Sequence, residues 1–398
     1  MSSTAPRRPL HNPELGPAGE EGKPSRTAGT RPAWLPSYIP ELDGLRGLAV
    51  LAVVIYHTHL LLKGTWIYPA TLWGWAGVNL FFVLSGFLIT SILLESRGKP
   101  HYFRNFYARR ALRIWPVYFL LIAVCYFQAE WFLGDTWEHQ THWQILTSYL
   151  FFIQNLRHTP LPGTLGPTWS LAIEEQYYFV WAPLVWLSWH LSRWRLRSRI
   201  VRNGCEQAPN WPAQNGPLAV VLIAMFAASP IFRLSHAHFL NTTHTLIHLD
   251  GIALGSLIAL ALHSLAIARR TWLWIGLASA IFGFWSVATI FAGTAFLDTG
   301  LALGFCGVVL MAIAGTGSAI LAWLRRGPLA FYGKISYGLY MTHILVFVFY
   351  GSFNVKFDHM GLTGSLIIVA LRLIASTVVA TVLWYAVESQ ILKLKRYF

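Results

Sequence analysis

The stretch LDGLRGLAVLAVVIYHTHLLL, Leu42–Leu62, decides the fold. It is apolar over nearly all its length, and about 20 such residues carry a helix across the hydrocarbon core of a bilayer. Yet Arg46 stands near one end and His57 well inside. Their spacing corresponds to about 1100° of helical rotation, three turns plus roughly 20°, and to a rise of about 16 Å. Both side chains therefore leave one face of the helix. Two readings stand. Arg46 is an interfacial anchor and His57 an interhelical hydrogen-bonding group, or the two form a functional pair. Ionisable groups inside a membrane are costly and face a partner or a cavity, which favours the pair when other polar groups gather at similar depth.

The rest of the chain supports a membrane reading. Of 398 residues, 55% are hydrophobic and only 12% charged, against about 25% charged in soluble domains. Aromatic residues at 15% suit interfacial belts. The net charge of +14 would fit a nucleic-acid partner, but the basic residues sit in short loops between apolar runs, so no nucleic acid is expected. Cys125, Cys205 and Cys306 are too scattered for a disulfide framework or a metal site, and no metal is expected. Residues 1–37, rich in Pro, Gly, Ser and charge, read as a disordered cytoplasmic tail without the apolar centre of a signal peptide.

The expected fold class is an all-α polytopic membrane protein. About ten transmembrane helices fall near 44–62, 72–94, 114–133, 171–190, 217–234, 246–265, 272–292, 299–323, 335–351 and 362–387, arranged around a central polar cavity. Residues 143–156 are apolar but short for a crossing, and read as a re-entrant or interfacial segment within an outer loop. With that segment not crossing, the basic clusters of the tail and of 95–113, 191–216, 269–270, 325–334 and 393–396 all share one side. Both termini are then cytoplasmic by the positive-inside rule. The membrane domain is expected over 38–390 and a cytoplasmic end over 391–398. No internal repeat of the transporter kind stands out.

Further polar groups fall at informative depths. GVNLFFVLSGFLITSILL, residues 77–94, carries Asn79, read first as an interhelical hydrogen-bonding group. YFRNFYARRALRIWPVYF, residues 102–119, gathers Arg109, Arg110 and Arg113 at the inner mouth of a span. They are either membrane anchors or a phosphate site, since guanidinium forks bind phosphate bidentately. GPTWSLAIEEQYYF, residues 166–179, opens a helix with Pro167 and Ser170 and places Glu174 and Glu175 just inside it. Asp250 is a second mid-depth carboxylate. GKISYGLYMTH brings Tyr340 and His343 to mid-membrane depth.

Taken together, LDGLRGLAVLAVVIYH with its Arg–x10–His spacing, GVNLFFVLSGFLITSIL, FYARRALRIWPVY, TWSLAIEEQYYF and SYGLYMTH closely resemble the acyltransferase-3 family of bacterial membrane O-acyltransferases. The resemblance covers roughly residues 40–388. It implies transfer of an acetyl or other short acyl group from cytoplasmic acyl-CoA to a hydroxyl of an extracytoplasmic carbohydrate, such as lipopolysaccharide, exopolysaccharide or glycolipid, in the bacterial cytoplasmic (inner) membrane. It makes Arg46 and His57 the essential pair. Arg109, Arg110 and Arg113 become donor-binding residues and Glu174 part of the outer motif, with Asn79, Ser170, Tyr340, His343 and Asp250 as cavity candidates. Asn79 stands where the family usually has an acid. Some relatives add a soluble esterase-like domain after the membrane part. This chain ends about ten residues past its last span, so the expectation is transfer by the membrane domain alone or hand-over to a separate extracytoplasmic partner. The expected mechanism is direct transfer with neutral His57 as general base, a covalent acyl intermediate being the variant. The alternative class is a proton-coupled transporter or flippase relaying protons through His57, Glu174 and Asp250.

Overall fold

The computed structural model describes residues 32–133, 139–156, 163–203, 211–235, 242–291, 294–351 and 361–398. Most of the expected tail at 1–37 lies outside the described residues. The described chain is all-α. Its main helices are α1 (Pro40–Tyr56), α2 (Gly77–Ser96), α3 (Tyr102–Leu133), α4 (His139–Leu150), α5 (Thr168–Asn203), α6 (Trp211–Ser235), α7 (Leu249–Ser264), α8 (Arg269–Ser286), α9 (Leu297–Ala314), α10 (Pro328–Gly351) and α11 (Gly361–Leu383). Five stretches are long and apolar enough to cross a membrane: Tyr68–Ser96, Gln214–Ser235, Arg269–Ile290, Leu297–Ala314 and Gly361–Tyr397. Ile223 and Ile231 on α6, Trp274, Ile281 and Trp285 on α8, and Ile374 and Val382 on α11 are all exposed. Apolar surface of that extent needs a lipid or protein cover, and helices satisfy their own backbone groups in lipid.

Several boundaries differ from the sequence pattern. α1 stops at Tyr56, not Leu62, and a short 3-10 turn, His59–Leu62, follows. The cause is local. The Thr58 hydroxyl bonds the Ile55 carbonyl at 2.7 Å and the His57 ring bonds the Val53 carbonyl at 2.9 Å, competing for the acceptors of the last turn. α9 ends at Ala314 rather than 323, because the chain turns through Gly317 at φ +83°, a conformation that favours glycine. α4 spans 12 residues, about 18 Å, short of the hydrocarbon thickness. It leads into a packed turn. Gln154 donates to the Tyr118 hydroxyl and the Thr168 carbonyl, and Gln176 donates to the Phe152 carbonyl and Asn155 Oδ1.

α2 is the central helix. Its apolar window is 72% buried within the protein, against 11% for α11. It is apolar all round because it faces two cores, as a fully enclosed helix must. Phe82, Ile89 and Leu93 pack with Tyr118 of α3 and Ile173 and Trp181 of α5. Leu80, Val83, Leu84 and Phe87 pack with α1, α7 and α9. α2 meets α7 at glycine: a Cβ on Gly86 would lie 2.1 Å from the Ile252 carbonyl oxygen, and one on Gly255 2.0 Å from that of Val83. α1 lies equally close along α10, where a Cβ on Gly333 would stand 2.0 Å from the Asp43 carbonyl oxygen. That contact sets the two helices side by side and fixes which residues of each can meet.

Candidate active site

α1, α2, α3, α5 and α10 enclose a cavity of about 240 Å³. One end is basic. Arg46 comes from α1 and Arg110 and Arg113 from the first part of α3, joined by Lys395 from the 3-10 turn Lys393–Tyr397. Ser85 and Glu174 lie along the wall, followed by Ser170 and Tyr340, between the apolar faces of Phe81, Phe82 and Leu88. The Tyr178 hydroxyl donates to Glu174 Oε2 at 2.8 Å, and the Ser170 and Tyr340 hydroxyls are 2.7 Å apart. The Arg110 guanidinium lies 5.9 Å from the centre of the Tyr178 ring. Three guanidiniums and an ammonium therefore share one partly open cavity with a single carboxylate. Such a space favours an anionic occupant with several charged oxygens.

The sequence-predicted residues divide among three places. Arg46, Arg110, Arg113, Glu174, Ser170 and Tyr340 line this cavity. Glu174 was expected nearer the outer surface than the arginines, yet it shares their cavity. Arg109 is exposed and absent from the lining. Arg110 and Arg113, three apart on α3, face inward together, and the i,i+4 partner of Arg113 turns away.

His57 and His343 form a second group outside that lining. His343 Nε2 is 3.2 Å from His57 Nδ1, with ring centroids 4.8 Å apart. His343 is fully buried. Tyr340, one turn before it, joins the two places: its hydroxyl belongs to the cavity and its ring centre is 6.0 Å from that of His343. The close packing of α1 on α10 makes this pair.

Asn79 and Asp250 do not line the cavity, which corrects their assignment as cavity candidates. Asp250 Oδ2 accepts from Arg233 at 2.7 Å and from the Thr299 hydroxyl at 2.8 Å. Arg233 also bonds the carbonyls of Ala295 and Ile247 and lies 3.8 Å from Asp298. Asn79 donates to Asp298 Oδ1 at 3.1 Å. These groups tie α2, α6, α7 and α9 together. Arg233 and Asp250 lie 17 positions apart on different helices, so no local spacing in the sequence pairs them.

Lys395, Tyr178 and Ser85 were not expected at the site from sequence. Tyr178 was within reach, being one helical turn after Glu174 in EEQYY. Lys395 was not, because residues 391–398 read as an end beyond the last span. α11 in fact continues through a π turn, Trp384–Glu388, and a short helical turn, Ser389–Leu392, before the segment that carries Lys395. The last residues pack on α3, where the Arg104 guanidinium lies 5.8 Å from the centre of the Phe398 ring. Glu388 is buried, and its Oε1 has no hydrogen-bond partner among the described residues. Arg372 sits with its guanidinium 5.1 Å from the centre of the Phe347 ring.

Comparison with known proteins adds independent information. The family model described as an acyltransferase domain matches residues 39–201, a range that holds Arg46, His57, Arg110, Arg113 and Glu174. Over 164 residues the chain is 35% identical to the peptidoglycan O-acetyltransferase OatA of Listeria monocytogenes, covering 38% of this chain and 25% of that protein. Over 346 residues it is 28% identical to the O-acetyltransferase OatA of Staphylococcus aureus, covering 81% of this chain and 52% of that one. The chain thus spans between a quarter and about half the length of these relatives. No solved structure gives a significant match.

Proposed function

We propose, from the premise that this chain belongs to the acyltransferase-3 family through residues 39–201, that it is a membrane O-acetyltransferase. It would move an acetyl or similar short acyl group from acyl-CoA, most simply acetyl-CoA, to a hydroxyl of a cell-envelope carbohydrate. The observation that carries this reading is one cavity in which Arg46, Arg110, Arg113 and Lys395 converge, with the His57–His343 pair beyond its far wall. Phosphate oxygens of the donor would sit among the four cations, and the acyl-bearing arm would run past Ser85 and Glu174 toward Tyr340. Positive-inside orientation puts the basic end toward the cytoplasm, where acyl-CoA is made. The membrane would be the cytoplasmic membrane of a bacterium. The acceptor is then a glycan on its outer side, and the similar Listeria monocytogenes protein is a peptidoglycan O-acetyltransferase.

In the chemical step His57 takes the proton of the acceptor hydroxyl while that oxygen attacks the thioester carbonyl carbon. The tetrahedral intermediate expels the CoA sulfur. The C–S bond breaks, an ester C–O bond stands in its place, and the imidazolium returns its proton to the thiolate. A positioned base of this kind contributes about 10²–10⁴-fold in rate. Glu174, held by Tyr178, offers an acceptor along the path and balances part of the cationic charge.

The deciding experiment supplies radiolabelled acetyl-CoA and a cell-envelope glycan to the purified protein in lipid nanodiscs. Ester-linked label on the glycan, released by mild base, is the expected result. Binding of acetyl-CoA without transfer to any hydroxyl compound would remove the transferase reading.

A further inference from the structure

The hydrogen bonds around His57 and His343 determine which nitrogen of each ring carries the proton. His343 Nδ1 lies 2.7 Å from the Tyr340 carbonyl oxygen and 3.2 Å from that of Leu339. Carbonyl oxygens only accept, so His343 Nδ1 bears hydrogen. In a neutral ring the other nitrogen, Nε2, then holds a lone pair. That lone pair faces His57 Nδ1 at 3.2 Å. His57 Nδ1 also lies 2.9 Å from the Val53 carbonyl oxygen, so it too bears hydrogen and points it at two acceptors. A protonated His343 would set one N–H against another, and the geometry excludes it. What remains is His57 Nε2, an unprotonated nitrogen that no described residue hydrogen-bonds.

We infer that His343 is a positioning residue: it holds His57 with its proton on Nδ1, so that the Nε2 lone pair takes the acceptor's hydroxyl proton in the reaction proposed above. The inference rests on that reading for its functional meaning. His343 stands where a buried carboxylate stands in a Ser–His–Asp arrangement, orienting the imidazole and backing the imidazolium when it forms. No proton passes to His343. Its Nε2 accepts a hydrogen bond before and after the transfer, and the bond becomes charge-assisted once His57 is an imidazolium.

Two comparisons within the molecule sharpen the assignment. His190 and His263 also direct Nδ1 at the carbonyl one turn back, at 2.9 and 2.8 Å. That contact alone is therefore an ordinary helical habit of histidine. At His57 the carbonyl is already shared, since Val53 O accepts the backbone N–H of His57 at 3.2 Å. The imidazole of His343 supplies the second acceptor. His59 is not an alternative partner, because its ring stacks on Tyr56 at 5.1 Å between centres.

The test is nitrogen NMR on isotope-labelled histidine in the full chain in lipid bilayers, with the His57 signals identified by their loss in His57→Asn. At neutral pH a protonated Nδ1 and an unprotonated Nε2 are expected for His57. The opposite tautomer would overturn the inference. Kinetics give the second readout. His343→Leu should lower kcat about 10²-fold, the low end of what a base contributes, with the donor KM little changed. His343→Gln, whose amide oxygen can stand near the lost Nε2, should recover much of it. Wild-type kcat in His343→Leu, or no difference between Leu and Gln, would overturn the inference. A wild-type protein with the stated tautomer that transfers no acyl group would instead defeat the transferase reading.

Discussion

In the proposed reaction, removal of the His57 imidazole leaves the acceptor hydroxyl with only water to take its proton. His57→Ala should therefore lose about 10²–10⁴-fold in turnover while inserting and binding acetyl-CoA normally, measured with equal amounts of protein in membranes. Among the arginines the effects should separate. Arg113→Ala, inside the cavity, should weaken donor binding at least tenfold, since hydrogen bonds to charged groups contribute about 1.5–3 kcal/mol each. Arg109→Ala, on the exposed face, should change it less than twofold, as titration calorimetry with CoA would report. The sequence put Arg46 and His57 on one face of a helix, because eleven helical positions return nearly to one azimuth, while the structure sets Arg46 on the cavity and His57 beside His343 outside its lining. The sequence could not distinguish Arg109 from Arg110, since the face that a helix turns inward depends on neighbours far away in the chain. Nor could it show that His57 meets His343, for no local spacing relates residues 286 positions apart.

At the level of the helices, apolar periodicity located most of the bundle but not where each element stops. α1 ends early because His57 and Thr58 take acceptors from its last turn, and that ending brings the histidine ring to face α10. Two contacts between helices lend themselves to measurement. Gly255→Leu forces a side chain into the α2 backbone, where even a Cβ would lie 2.0 Å from an oxygen. It should cost at least about 1–3 kcal/mol, seen as a lower midpoint of thermal unfolding in detergent. Arg233→Ala leaves Asp250 and Asp298 without their cation in an enclosed site. Breaking a buried pair from one side costs about 3–5 kcal/mol. Asp250→Asn in the same chain should restore part of that loss, which would identify the cluster as a tie between helices. If Arg233→Ala keeps wild-type stability, the tie is not there.

Across the whole molecule, charge is distributed unevenly around the cavity, and donor binding should carry that signature. CoA affinity should fall as salt rises, because a cationic pocket attracts a polyanion through a field that ions screen. Lys395→Gln should flatten the dependence by about one charge, and an unchanged slope would remove Lys395 from the binding group. This lysine reaches the cavity only because the last helix is interrupted. A π turn holds an extra residue relative to the regular winding, and everything beyond Trp384–Glu388 is rotated accordingly. Rewinding that turn as regular α-helix with every residue kept would swing Lys395 by about 100°, whereas deleting one residue along with the bulge would leave its direction nearly unchanged. The bulge thus acts as a phase setting for the final segment, in which the match between residue number and winding matters more than the kind of residue.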